Sequence, residues 1–143
     1  MRILFLGDIV GPSGCKVVKK FLPDIIKKKN LDFVVANGEN AADNGMGITE
    51  KISNELFQSG IDVLTTGNHV WGQNETVEHI EREEKLLRPF NLSNPSPGKG
   101  FEIFSSKNKF KIGVLNLMGN VFMKKCDDVF TKIEKFLNDY DLK

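Results

Sequence analysis

The sequence predicts an α/β fold, a layered parallel sheet with helices on both faces. Three observations predict it. Short apolar runs ending in polar or glycine-rich turns recur through the first seventy residues. These runs are continuous rather than alternating, as strands covered on both faces require. Segments of helical periodicity lie between them, and the order strand, helix, strand, helix, strand calls for right-handed crossovers and parallel pairing.

The first strand is Ile3 to Leu6, which runs into Gly7-Asp8. Val17, Val18, Phe21, Leu22, Ile25 and Ile26 then repeat at one-turn spacing, with six lysines between Lys16 and Lys29 mostly off that stripe. Pro23 falls inside this helix, where a kink is expected. Phe33 to Ala36 is the second strand and runs into Asn37-Gly38-Glu39-Asn40. Thr49 reads as the N-cap of a helix that buries Ile52, Leu56 and Phe57 and stops at Gly60. Ile61 to Leu64, diluted by Asp62, is the third strand, followed by Thr65-Thr66-Gly67-Asn68-His69.

The later half changes character. Residues 75–85 are rich in Glu, Lys and Arg and read as a solvated helix, and 94–98 reads as a loop. Phe101 to Phe104 and Phe110 to Leu117 flank a polar turn, which predicts an antiparallel hairpin. Asp127-Asp128 opens a last helix, expected to bury Val129, Ile133, Phe136, Leu137 and Tyr140, with its acids placed to suit the helix dipole.

The 143 residues have the size of one domain, taken here as 1–143, with no internal repeat, low-complexity tract or linker. A net charge of +1 gives no electrostatic case for a nucleic-acid or membrane-surface partner. The first apolar run is too short for a secretory or membrane helix, so the expected address is cytoplasmic. Cys15 and Cys126 stand in no metal or redox spacing and are expected to be reduced packing residues.

The chemistry lies in position. Three successive strands each deliver metal-competent residues just past their carboxyl ends: Asp8, then Glu39 with Asn40, then Asn68 with His69. Ligands bind at that edge of an open parallel sheet. Two carboxylates, two amide oxygens and an imidazole suit a hard or borderline divalent cation, which lowers the pKa of bound water and neutralises a phosphoryl group. Taken singly, each motif also reads as a plain turn. Together they do not, because Glu39 has no structural need to be acidic, and an amide beside an imidazole fills a buried sheet edge poorly. His79, on the charged helix, reads as solvated surface. Trp71 fits either packing or a substrate-facing wall. Gly45-Met46-Gly47 fits either a plain loop or a turn that covers the site.

Gly7-Asp8-Ile9-Val10-Gly11, Asn37-Gly38-Glu39-Asn40-Ala41-Ala42 and Gly67-Asn68-His69-Val70-Trp71 resemble the signatures of the YmdB-type bacterial phosphodiesterases of the calcineurin-like metallophosphoesterase superfamily. The similarity extends through Arg88-Pro89, Pro97-Gly98-Lys99-Gly100 and Asn116-Leu117-Met118-Gly119. As in that branch, no histidine stands two residues after Asp8, where Val10 is found. The resemblance implies two ions, iron or manganese. Asp8 and Asn40 would hold the first, Glu39 would bridge, and Asn68 would hold the second. His69 would be the catalytic proton donor to the leaving oxygen rather than a ligand, and a metal-activated hydroxide would attack phosphorus. The implied substrates are cyclic nucleotides, including 2′,3′-cyclic ones, and other phosphodiesters. Gly72 departs from an expected Asp and Asn120 from an expected Arg, which bears on the support of the ligands. The family's remaining ligands are histidines of a carboxyl-terminal half, and this chain holds only His69 and His79. The expectation is therefore a metallophosphoesterase fold cut mid-way, its site completed by a carboxyl-terminal fragment or a homo-oligomer.

Two other readings compete. A catalytically incomplete binding or regulatory module would hold metal weakly and act through protein contacts. A flavodoxin-like nucleotide-binding domain would use the same sheet edge, but Gly7, Gly11 and Gly14 do not give a dinucleotide-type glycine spacing.

Overall fold

The computed structural model describes residues 1–92, 95–123 and 126–140. Asn94, in the expected 94–98 loop, and the end of the chain at Lys143 lie outside the described residues. The elements are β1 (Ile3–Val10), α1 (Gly11–Lys29), β2 (Phe33–Asn40), α2 (Glu50–Gln58), β3 (Val63–Thr65), α3 (Thr76–Arg82), β4 (Leu86–Leu87), β5 (Phe101–Ser105), β6 (Lys111–Leu115) and α4 (Val129–Asp139).

Strands β1 to β4 form a parallel sheet in sequence order, and β5 and β6 pair as the expected antiparallel hairpin. Four layers result. On one face of the sheet, Val34, Ala36, Leu64 and Leu86 pack with Cys15 and Leu22 of α1, Leu56 of α2 and Ile80 of α3. On the other, Phe33, Val35, Val63 and Leu87 meet Phe104, Ile112 and Val114 of the hairpin. Phe101, of opposite parity to Phe104 on β5, turns its ring to Phe136 and Tyr140 at centroid distances of 4.6 and 4.8 Å. Alternation along β5 thus joins the sheet on one side and α4 on the other. Helices stand on both sides, but the hairpin separates α4 from the parallel sheet.

Local chemistry accounts for the boundaries. Gly11 takes a positive φ of 58° that turns β1 into α1, and Asn30 closes α1 in the left-handed region with Lys27, Lys28 and Lys29 in the last turn. Helix α1 runs through Pro23 to Lys29 without a break. Thr49 Oγ1 accepts from Ile52 N at 3.2 Å, so it caps α2 as expected. Asp62, which dilutes the third apolar run, accepts from Val34 N at 2.8 Å and ties the entry of β3 to β2.

Several expectations need correction. Leu86–Leu87 is a two-residue strand hidden at the end of the charged segment, beside β3. Helix α3 is not solvated all round, because Thr76, His79 and Ile80 are buried. The His79 ring lies 2.7 Å from Ser53 Oγ and joins α3 to α2, which a histidine amid charged neighbours does not announce. On α4, Phe136 is buried, Val129 and Ile133 are half-buried, and Leu137 and Tyr140 are exposed. Along α1, Val17, Phe21 and Ile25 are exposed although they belong to the predicted stripe. Cys15 and Cys126 are free and buried, and burial raises the pKa of both thiols. Among the described residues no helix is long and apolar enough to cross a membrane.

Candidate metal centre

The strands run further than their apolar runs. Asp8 lies inside β1, between two register irregularities against β2, and Glu39 and Asn40 are the last residues of β2 rather than residues beyond it. Their polar side chains therefore project from strand backbone. Asn68 and His69 follow β3 in a turn, as expected.

The structure brings Asp8, Glu39, Asn40 and His69 into one connected group and leaves Asn68 outside it. Asn40 Nδ2 donates to Asp8 Oδ2 at 2.7 Å, and Asn40 Oδ1 lies 2.6 Å from His69 Nδ1. The backbone N–H of His69 donates to Glu39 Oε2 at 3.3 Å. An amide oxygen can only accept, so Nδ1 of His69 carries its proton toward Asn40, and Nε2 is the nitrogen free to face a ligand. Asn68 is half-buried, and its side-chain amide finds no hydrogen-bond partner among the described residues. Glu39 and Asn68 border one groove of about 790 Å³. Asp8, exposed, borders a separate depression toward α1.

Whether these residues fit a cation is decided by donor chemistry and space. Asp8, Glu39, Asn40 and Asn68 offer oxygens alone, which suits a hard or borderline ion. The carbonyl oxygen of Asn40 has two lone pairs and can accept from His69 while ligating. Gly67 supplies the space, since a Cβ there would fall on the Glu39 carboxylate. The set fits, and it is partial: among the described residues no three His, Cys, Asp or Glu side chains gather in a metal-holding cluster.

Two supporting residues escaped assignment in the sequence. Asn37 Oδ1 accepts from Glu39 N at 3.0 Å, and its Nδ2 reaches Glu39 Oε1 at 3.4 Å, which orients the carboxylate. Asn116 Nδ2 donates to Thr66 O at 2.8 Å and Leu87 O at 3.0 Å, stapling the turn that carries Asn68 and His69. Both stand inside motifs, but an amide's partner is invisible in one dimension. His79 lies outside the group, committed to Ser53. Trp71 is at the margin of exposure, so it is not a buried packing residue.

The two departures acquire local reasons. A Cβ at Gly72 would come within 2.9 Å of Met46 and Gly47 backbone, so the 45–47 turn closes on this glycine. Gln73 Nε2 donates to Met46 O at 2.7 Å, and Gly47 N donates to Glu39 O at 2.6 Å. The turn is thus tied to the strand end that carries Glu39. Asn120 Oδ1 accepts from Cys126 N at 3.1 Å and shapes the turn after β6.

Two solved structures share this architecture. A crystal structure of a hypothetical protein from Thermus thermophilus superposes with a TM-score of 0.89 at 34% identity, covering 99% of this chain and 54% of that one. A novel phosphatase from Mycoplasma pneumoniae gives 0.88 at 30% identity, covering 97% of this chain and 51% of that one. The fold is that of a metallophosphoesterase-like phosphatase. The family described as YmdB-like protein matches residues 4–143, and the chain belongs to it. A Bacillus subtilis (strain 168) relative named 2',3'-cyclic-nucleotide 2'-phosphodiesterase is 42% identical over 137 residues, 96% of this chain and 51% of the relative. The chain spans about half the length of the curated relatives it matches.

Proposed function

We propose that this chain supplies the first part of a two-metal phosphodiesterase centre acting on cyclic nucleotides, including 2′,3′-cyclic ones, and other phosphodiesters. The observation that carries the reading is the continuous link Asp8–Asn40–His69–Glu39, at the carboxyl ends of adjacent parallel strands. In this reading Asp8 and Asn40 would hold one ion and Asn68 the other, Glu39 would be the carboxylate shared between them, and iron or manganese would be the metals. When bound, such ions lower the pKa of water and offset the charge that develops on phosphorus.

The residues divide the remaining work. Asn37 holds the Glu39 carboxylate in one orientation. Asn40 accepts from Nδ1 of His69 and so turns Nε2 toward the leaving oxygen, where His69 acts as general acid. The apolar groove beside Glu39 and Asn68 excludes water from one side of a bound diester.

A second reading is favoured by the partial donor set: a catalytically incomplete binding or regulatory module. One experiment separates the two. The purified chain is assayed for bis-p-nitrophenyl phosphate hydrolysis and for bound manganese and iron, alone and with the portion of the Bacillus subtilis relative that this chain leaves unmatched. The expected result is weak metal binding and little turnover alone, with both rising on addition. Glu39→Gln should then remove metal and turnover together, because an amide cannot neutralise two cations. Metal retained near the wild-type level in Glu39→Gln refutes the bridge, and metal gained without turnover selects the module.

A further inference from the structure

The ladder between β2 and β3 ends where the candidate centre begins. Its last pair is Asn37 with Thr65, so Glu39 and Asn40 on one segment, and Asn68 and His69 on the other, lie past that pairing. Two contacts join the segments there, from His69 N to Glu39 Oε2 and between His69 Nδ1 and Asn40 Oδ1. Both end on side-chain oxygens that the two-metal reading gives to ions. A spacing held by those oxygens alone would change whenever they were engaged elsewhere.

A few residues further on, the two segments meet again, this time by backbone. A Cβ on Gly72 would stand 2.9 Å from Gly47 N and from Met46 C and O. One on Gly47 would stand 3.0 Å from Gln73 N and 3.1 Å from Gly72 C. Neither glycine leaves room for a side chain, so main chain lies on main chain. The side chain of Gln73 crosses this seam. Its Nε2 carries two hydrogens and faces two acceptors, Asn44 Oδ1 at 3.1 Å and Met46 O at 2.7 Å. Asn44 Oδ1 also accepts from Met46 N at 3.1 Å, which shapes the turn from within. One hydrogen bond leads from the seam back to each half of the centre. Gly47 N donates to Glu39 O at 2.6 Å, and Gly72 N donates to His69 O at 2.8 Å. None of these atoms is a proposed metal ligand.

We propose that Gln73 is a positioning residue for the centre. Its amide locks the seam, and the seam sets the spacing between Glu39 with Asn40 and Asn68 with His69 through two main-chain routes. A glutamine that merely shaped a surface turn would have no such reach. What the spacing serves rests on the two-metal reading; the lock itself rests on the hydrogen bonds and on the clearance at the two glycines.

Three variants of this chain test it. Gln73→Met keeps length and bulk and removes both donors. Gly72→Ala leaves Gln73 intact and wedges the same seam. Gln73→Lys puts a donor back. Each is read twice, by amide hydrogen exchange in a metal chelator and then by manganese titration. Gln73→Met and Gly72→Ala should each speed exchange of the Gly47 amide by at least about tenfold, with the Val63 and Leu64 amides as in the wild type. Both should weaken manganese binding by about tenfold, the low end of what a supporting residue is worth to a metal site. Gln73→Met should do so at unchanged melting temperature, because Gln73 is half-buried and lies outside the helices and strands. Gln73→Lys should restore both readings. Gly47 exchange indifferent to Gln73→Met overturns the lock, whatever the metal does. Faster exchange with unchanged manganese affinity overturns the positioning role and leaves Gln73 as the brace of a surface turn. A wild-type chain that takes up no manganese overturns the two-metal reading and the positioning role with it, while the exchange result still reports on the lock.

Discussion

Replacing Gly67 by alanine separates the position of the Glu39 carboxylate from its charge. A Cβ built on Gly67 falls 2.5 Å from Glu39 Oε1 and 2.6 Å from its Cδ. Restoring an ordinary separation of about 3.5 Å moves the carboxylate by roughly 1 Å. Gly67 does not require a positive φ, so the backbone accepts alanine and the clash is confined to the side chain. Glu39 is half-buried and its carboxylate is the mobile end, so the fold should lose less than about 1 kcal/mol, below the usual cost of overpacking a rigid core. Function should lose far more, since a misplacement of about 1 Å in a catalytic constellation costs on the order of 10²-fold. The assay pairs thermal melting with manganese titration and with bis-p-nitrophenyl phosphate turnover in the complemented protein. Unchanged metal affinity at unchanged stability would show that Glu39 is no ligand. A stability loss of about 3 kcal/mol, at the upper end of overpacking costs, would show that the carboxylate is a rigid structural element.

Three further expectations follow from named contacts. His69→Gln should keep metal but lose about 10²–10⁴-fold in rate on substrates with poor leaving groups, and much less on p-nitrophenyl diesters; equal losses on both would remove His69 from proton donation. His79→Leu should destabilise by about 1–3 kcal/mol in urea unfolding, because it breaks the buried contact with Ser53 that joins α3 to α2. A double mutant with Ser53→Ala should be clearly less than additive, and strict additivity would refute the coupling. Asp128 caps α4 by accepting from Thr131 N at 2.9 Å, which holds its pKa below the ordinary carboxylate value. Its stabilisation is complete above that ordinary value and fades as pH falls through the depressed one, so Asp128→Asn should flatten the acid limb of a stability-against-pH curve.

By itself the sequence determined the alternation of elements, the parallel pairing of the first three strands, the hairpin, the Thr49 cap and the residues of the candidate centre. These are legible because each is local: an apolar run, a period of 3.6, or a turn residue at a fixed offset. It did not determine β4, since two leucines at the end of a charged segment form a strand only when β3 offers a ladder. Nor did it show that His79 is buried, because its partner Ser53 lies 26 residues away. Tertiary structure alone decided that Asp8, Glu39 and Asn40 project from strand backbone, and that Asn37 and Asn116 hold the carboxylate and the His69 turn in place. The stripe on α1 shows the same limit: period marks a face as apolar, but what covers it depends on the rest of the fold. Leu22 is buried against the sheet while Val17, Phe21 and Ile25 are exposed beside the open β1 edge, because burial belongs to pairs of surfaces and one chain segment specifies only one of them.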